Sequence, residues 1–291
     1  MTTRYSKGEL VQASCIWEVT ARKVGNVHRY ADFQHTSYLD FILSAATIAP
    51  HFNVSHVSVG QLILNAVRAT SQVVGQNTNL GIILLLAPLC AVEEKVPLRS
   101  GLENVLSSLA QTDAKLVFEA IRLAKPGGLG NAADQDVRND PTVTLLEAMK
   151  LAAERDWIAR QYANGFADVF DFALPSFLES LERLGCIEAA IIDLQIRLLA
   201  EYPDSLIARK NGLAVAEEVR AKAANIQNLG GIAYPTGRRA GIQLDRHLRS
   251  QGNKLNPGTT ADLIAACLFV ALRENRIVPS APFRWHVEDW L

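Results

Sequence analysis

The sequence predicts an all-α fold, and three observations carry that prediction. Apolar residues recur at helical spacing in segment after segment, and no run alternates with period two over several segments. The stretch Leu80–Val92 is almost unbroken apolar, interrupted only by Gly81 and Pro88. A helix that is apolar on every face is buried, and this one falls short of the ~20 residues a membrane span needs. It therefore reads as a central core helix. The polar run Gly75-Gln76-Asn77-Thr78-Asn79 precedes it, so its N-terminus opens onto a loop, with Thr78 or Asn79 as cap. Free amides and the helix dipole at such an end favour an anion, although an ordinary capped helix has the same appearance.

The other elements follow in order. Lys7–Thr20 and Tyr38–Pro50 each carry one apolar face, and Val59–Val74 leads the chain to Gly75. Between the first two, Lys23, His28 and Arg29 surround the turn Gly25-Asn26, which can gather amides and cations on a phosphate or can be a solvated basic turn. Leu102–Leu109 and Ala114–Ala124 read as short amphipathic helices. The loop Lys125–Asp140 is the longest polar segment. Within it Gly128–Ala133 fits G-x-G-x-x-A, but the preceding residues read as helix, and that pattern signifies a dinucleotide site only after a strand. Asp134 and Asp136 could hold Mg²⁺ beside a polyphosphate or simply face solvent, whereas Asp140 before Pro141 reads as a helix cap.

Thr142–Ala173 is expected to form one or two long helices, followed by Pro175–Leu184 and Glu188–Ala200. Asp204 and Ser205 open a short segment through Gly212 that places Arg209 and Lys210 together, and Ala214–Leu229 is a helix with a polar face. Pro235-Thr236-Gly237 reads as a turn around Arg238 and Arg239. Asn256–Thr260 is a sharp loop into a last apolar helix, Ala261–Glu274, with Asp262 in its first turn, where the dipole alone would explain an acid.

The whole chain has 291 residues and 49% hydrophobic composition, enough for a large core, and no Pro-, Ser- or Gly-rich linker divides it, so residues 1–291 are expected to be a single domain. Its 29 basic and 30 acidic residues leave a net charge of −1. That balance supplies no general field for nucleic acid or acidic membranes, so an anion site must gather its cations locally. Cys15, Cys90, Cys186 and Cys267 form no C-x-x-C pair and sit in apolar surroundings, as buried thiols of a reducing compartment do. The N-terminal residues lack the apolar centre of a signal peptide, so a cytoplasmic protein is expected, with homo-oligomerisation left open.

Five segments, in order, resemble the triphosphoribosyl-dephospho-CoA synthase family. Glu18–His28 (EVTARKVGNVH) resembles its E-V-x-x-x-K-P-G-L/N-V opening, and Gly75–Gly81 (GQNTNLG) its G-x-N-T-x-x-G. Leu151–Tyr162 (LAAERDWIARQY) is similar to R-D-x-I-A-x-Q-Y, Asp204–Gly212 (DSLIARKNG) to D-[ST]-x-[IV]-x-R-x-x-G, and Leu255–Phe269 (LNPGTTADLIAACLF) to [SN]-P-G-[GTS]-x-A-D-L-[IL]-A. The chain departs from the family at Val24, in place of Pro, and at Asn79 and Leu80, in place of a His-Lys pair. The family's G-A-H-x-D-M segment is not recognisable in Ala31–Ser37, where His35 lies out of register. This pattern marks a divergent branch, similar to homologues associated with methanopterin-type one-carbon cofactor synthesis.

The resemblance implies an all-α transferase that moves the 5-triphosphoribosyl group of ATP to the 2′-hydroxyl of 3′-dephospho-CoA and releases adenine, in prosthetic-group biosynthesis. Its small-molecule partners would be nucleotides, with ATP as substrate and Mg²⁺ as cofactor. The expected nucleotide and phosphate positions are Lys23, Asn26, His28, Gly75, Asn77, Thr78, Asn79, Arg209, Lys210 and Thr259. Asp134 and Asp136 are the expected metal ligands and catalytic carboxylates. Two alternatives remain: the same fold acting on another acceptor in one-carbon cofactor synthesis, and a non-catalytic nucleotide or CoA sensor.

Overall fold

A computed structural model describes residues 5–54, 56–127 and 134–291. The Gly128–Ala133 pattern lies outside the described residues. Among those described, the chain forms fourteen α-helices, and its only β-type pairings are the isolated bridges His28–Ala31 and Phe33–Thr36. The first six helices are α1 (Lys7–Thr20), α2 (Tyr38–Ile48), α3 (Val59–Val74), α4 (Leu80–Ala91), α5 (Leu98–Ser107) and α6 (Gln111–Ala124). After the long polar loop come α7 (Leu145–Ala152), α8 (Trp157–Asn164), α9 (Leu174–Leu184), α10 (Ile187–Glu201) and α11 (Ser205–Asn211). The last are α12 (Leu213–Asn228), α13 (Pro235–Arg249) and α14 (Gly258–Arg273).

The expected core helix is α4, and every residue from Ile82 to Cys90 is buried. It packs against α3, α5 and α14, the last of which is buried without a break from Leu263 to Leu272. Pro88 has no amide hydrogen, so Leu84 four residues earlier loses its helical donor. Tyr162 on α8 donates its hydroxyl to Leu84 O at 2.6 Å and fills that gap. A second apolar cluster joins the far side of α10 to α11, α12, α13 and Trp290.

α10 carries two buried carboxylates through this interior, and both have cationic partners. Glu188 accepts from Arg22 and Arg29 at 2.9 Å each, while Asp193 accepts from Arg183 at 2.7 Å and Arg197 at 3.0 Å.

Several boundaries differ from the sequence expectation for identifiable reasons. Thr142–Ala173 is divided, because Asp156 caps α8 by accepting from the amides of Ile158 and Ala159, and Gly165 ends α8 in the left-handed region at φ 66. Asp140 is exposed and caps no helix among the described residues; α7 begins later, where Thr144 and Glu147 form a reciprocal capping box. Pro235 starts the fifteen-residue α13 instead of a turn, using the freedom of a first helical position from an amide hydrogen bond. α14 begins at Gly258 rather than Ala261, which leaves Asp262 beyond the first turn.

All four cysteines are free and buried, and burial pushes the Cys15 thiol up to about 12. No helix among the described residues is long and apolar enough to cross a membrane.

Candidate active site

A cavity of about 530 Å³ opens where four helix beginnings meet the end of α1. Such a volume suits a small-molecule site, for which about 300–1,000 Å³ is usual. Asp204 draws two of these helices together. Its Oδ1 accepts from the amides of Leu206 (2.9 Å) and Ile207 (3.0 Å), capping α11, and its Oδ2 accepts from the amide and hydroxyl of Thr260, both at 2.8 Å, at the start of α14. Ser205 extends the junction: its hydroxyl donates to Thr259 Oγ1 at 3.0 Å and accepts from the Trp157 amide at 3.2 Å, which attaches α8. On the α1 side, Asn26 donates to Asn256 Oδ1 at 2.7 Å and accepts from Gln195 at 2.7 Å.

The beginning of α4 forms the facing wall. Asn79 occupies the cap position without a side-chain capping bond, and Asn77 Oδ1 accepts from the Leu80 amide instead, at 3.1 Å. Thr78 pairs with Ser44 at 2.6 Å. Asn79 is buried, and its Nδ2 has no hydrogen-bond partner among the described residues. A buried orphan donor costs about 1–3 kcal/mol, so its position on the cavity wall calls for a ligand acceptor. Gly81, the next residue but one, lies against Asp262: a Cβ there would sit 2.0 Å from Asp262 Oδ2.

The charges divide into engaged and available groups. Arg209 forms an ion pair with Asp156, the α8 cap. Lys210 and Arg155 line the cavity without a carboxylate partner among the described residues, and burial lowers the Lys210 pKa from the ordinary lysine value. Of the carboxylates, Glu18 is buried and pairs with Lys23 through Oε1 at 2.8 Å. Asp262 has no hydrogen bond or ion pair among the described residues. Burial holds its carboxyl well above the usual range, and the negative charges of Glu18, Asp204 and Asp156 add to the effect.

Of the residues named from sequence, Asn26, Asn77, Thr78, Asn79, Asp136, Arg209, Lys210 and Thr259 line this cavity. Four do not. Lys23 is fully buried, bound to the carboxylate and backbone carbonyl of Glu18, so it neutralises an internal acid and has no reach to a phosphate. His28 is buried beside Arg249, Lys23, Arg22 and Arg29. Burial first, and then those cations, lower its pKa to about 3, so it is neutral. Gly75 ends α3 in the left-handed region at φ 75, a structural duty at an exposed position. Asp134 is exposed, outside the cavity lining.

The Asp134–Asp136 pair does not fit Mg²⁺ in this arrangement. Asp136 Oδ1 accepts from the Arg138 amide (3.0 Å) and Nε (2.8 Å), and Oδ2 from its terminal nitrogen (2.6 Å), so both oxygens are already engaged by a cation. Among the described residues, no group of three or more His, Cys, Asp or Glu side chains is placed to hold a metal. Sequence reasoning missed Glu18, Arg155, Asp156 and Asp262 as lining residues, although all four lie inside the family-like segments. For Asp262 the usable signal was its distance from the true helix start, since the dipole fades beyond the first turn.

An all-α protein with a polar cavity at converging helix beginnings, lined by cations and carboxylates, has the form of a helical small-molecule-binding protein. Its family can be stated directly. The chain belongs to the CitG family, ATP:dephospho-CoA triphosphoribosyl transferase, whose family model matches residues 5–279.

A probable 2-(5''-triphosphoribosyl)-3'-dephosphocoenzyme-A synthase of Pseudomonas savastanoi pv. phaseolicola is 30% identical over 165 residues, covering 50% of this chain and 56% of the relative. The match therefore spans little more than half the length of that relative. A protein of the same name from Vibrio cholerae is 28% identical over 262 residues, covering 78% and 74%. A solved structure from Archaeoglobus fulgidus bearing the triphosphoribosyl-dephospho-CoA synthase name superposes with a TM-score of 0.60 at 26% identity, covering 79% of this chain and 97% of that one.

Proposed function

We propose that this protein transfers the 5-triphosphoribosyl group of Mg·ATP to the 2′-hydroxyl of 3′-dephospho-CoA, or of a closely related acceptor, and releases adenine. The observation that supports this reading is the convergence of all five family-like segments on one cavity, through Glu18, Asn77, Asp156, Arg209 and Thr259. Polyphosphate recognition falls to Lys210, Arg155 and the amides at the helix beginnings, since charge-assisted bonds and helix N-termini are the usual means of holding phosphate. Magnesium enters with the nucleotide as part of the substrate. In this reading residues 1–291 work as a single all-α domain in the cytoplasm.

A second reading keeps the chemistry and changes the acceptor. Asn79 and Leu80, standing where the family has His and Lys, favour it, because they alter the cavity wall at the beginning of α4. The deciding experiment follows adenine release from Mg·ATP with dephospho-CoA, and separately with pterin-type acceptors. Release with dephospho-CoA supports the first reading, and release only with another acceptor supports the second. Nucleotide binding without release under any condition returns the sensor reading.

A further inference from the structure

The transferase reading leaves one chemical need unassigned. A purine is a poor leaving group unless a ring nitrogen is protonated as the C1′–N9 bond breaks, and the attacking hydroxyl must lose its proton. Two carboxyl groups in the cavity are in contrasting situations. Glu18, at the end of α1, is paired with buried Lys23 through Oε1, and its Oε2 has no partner among the described residues. Asp262 has no hydrogen-bond or ion-pair partner among the described residues, and it occupies the space that a side chain at position 81 would fill. Asn79, nine-tenths buried on the same wall with its amide Nδ2 unpaired among the described residues, independently calls for a ligand at this place.

We propose that Asp262 is the proton donor to the departing nucleobase and that Glu18 accepts the proton of the attacking hydroxyl. This assignment rests on the transferase reading. The C1′–N9 electron pair passes to the purine, the Asp262 proton passes to a purine ring nitrogen, and adenine leaves neutral. The acceptor oxygen bonds to C1′, and its proton passes to Glu18. Asp262 ends as carboxylate and Glu18 as acid, and exchange with water on product release restores both.

The surroundings favour this division of roles. Asp262 faces Glu18 and Cys15 from α1, Asp204 from the start of α11 and Asp156 from the cap of α8, with Arg209 opposing them as a cation. This negative company and the desolvation of the cavity wall raise the Asp262 carboxyl and favour its protonated form. Burial raises the Glu18 carboxyl as well, but its paired Lys23 works against that shift and favours the ionised form. One carboxyl paired with a cation and one left among other acids make the kind of contrast that separates proton acceptor from donor.

The test compares wild type with Asp262→Asn, using Mg·ATP and the 5′-triphosphate of 6-chloropurine riboside, whose base departs with less need of a proton. With dephospho-CoA, the variant should lose about 100-fold or more in kcat on ATP, the usual scale for a general acid. It should lose less than about tenfold on the chloropurine nucleotide, while calorimetry shows Mg·ATP affinity unchanged. The alkaline limb of the wild-type kcat profile should disappear in the variant. Equal losses on both nucleotides, or an unimpaired variant, would overturn the role of Asp262 while leaving the transferase reading intact. No adenine release by wild type with any acceptor would overturn the transferase reading, and the role of Asp262 with it.

Discussion

Gly81 on α4 and Asp262 on α14 are in such close contact that any Cβ at position 81 would overlap the aspartate carboxyl, 2.0 Å from Oδ2. The two residues belong to different family-like segments, and their contact fixes the distance between the two helix beginnings that face each other across the cavity. Gly81→Ala tests what this contact is for. Alanine favours helix over glycine by about 1 kcal/mol, so the fold itself should not suffer much. The Asp262 carboxyl must move, and misplacement of a reacting group by even a fraction of its reach costs about tenfold or more in rate. The expected outcome is near-wild-type urea stability with adenine release reduced by at least that factor.

Asp262 also sets a pH dependence of stability. Its folded pKa is raised by burial and by neighbouring carboxylates, so the folded state keeps a proton that the unfolded chain gives up near pH ~3.9. The stability this contributes is fully present below that pH and is lost as pH rises through the folded value. Urea midpoints measured from pH 4 to 9 should fall more steeply in wild type than in Asp262→Asn, and the variant should be the more stable protein at the alkaline end. Parallel curves would mean that the carboxyl is already ionised throughout.

Lys23 should reveal itself in folding and not in phosphate binding. Removing one member of a buried ion pair leaves the other charge uncompensated, at a cost of about 3–5 kcal/mol. Lys23→Met is expected to lose stability on that scale, and adding Glu18→Gln should restore much of it. A denaturation cycle of the two single variants and the double variant measures the coupling.

Lys210 is the opposite case, a cation in the cavity wall with no partner among the described residues. Lys210→Ala should weaken Mg·ATP binding about tenfold, since a charge-assisted bond is worth about 1.5–3 kcal/mol, with little change in stability. Because its pKa is lowered, affinity in wild type should begin to decline on the alkaline side before that of an ordinary lysine would. Calorimetry as a function of pH reads both effects.

Most of the helical pattern was legible because it depends on local signals. Lys7–Thr20 and Val59–Val74 match the structure at both ends, one opened by the Ser6–Glu9 capping box and the other closed by Gly75. α13 was missed because Pro235 and Gly237 look like a turn until the apolar positions after them, Leu244 and Leu248, are seen to be buried on one face. The site was legible only as a set of segments. Which cation was free and which was engaged depends on contacts remote in sequence, such as Arg29 with Glu188 or Arg209 with Asp156, and no local spacing reports these. The pairing of Asp136 with Arg138 was open in the sequence for a different reason. A partner two residues away was visible, but whether it would turn back onto the carboxylate depends on the loop conformation.

The hydroxyl of Tyr162 on the Leu84 carbonyl couples the substitutions that positions 88 and 162 can tolerate. While Pro88 is present, losing that hydroxyl strands a backbone oxygen in an apolar interior, and the lineage is penalised. If a residue bearing an amide hydrogen replaces Pro88 first, Leu84 regains its helical donor and Tyr162 becomes free to drift to Phe. Exchange at these two positions should therefore avoid the combination of proline at 88 with phenylalanine at 162. Relatives with Phe at the second position should be found without proline at the first, and the two sites should co-vary although neither touches the chemistry.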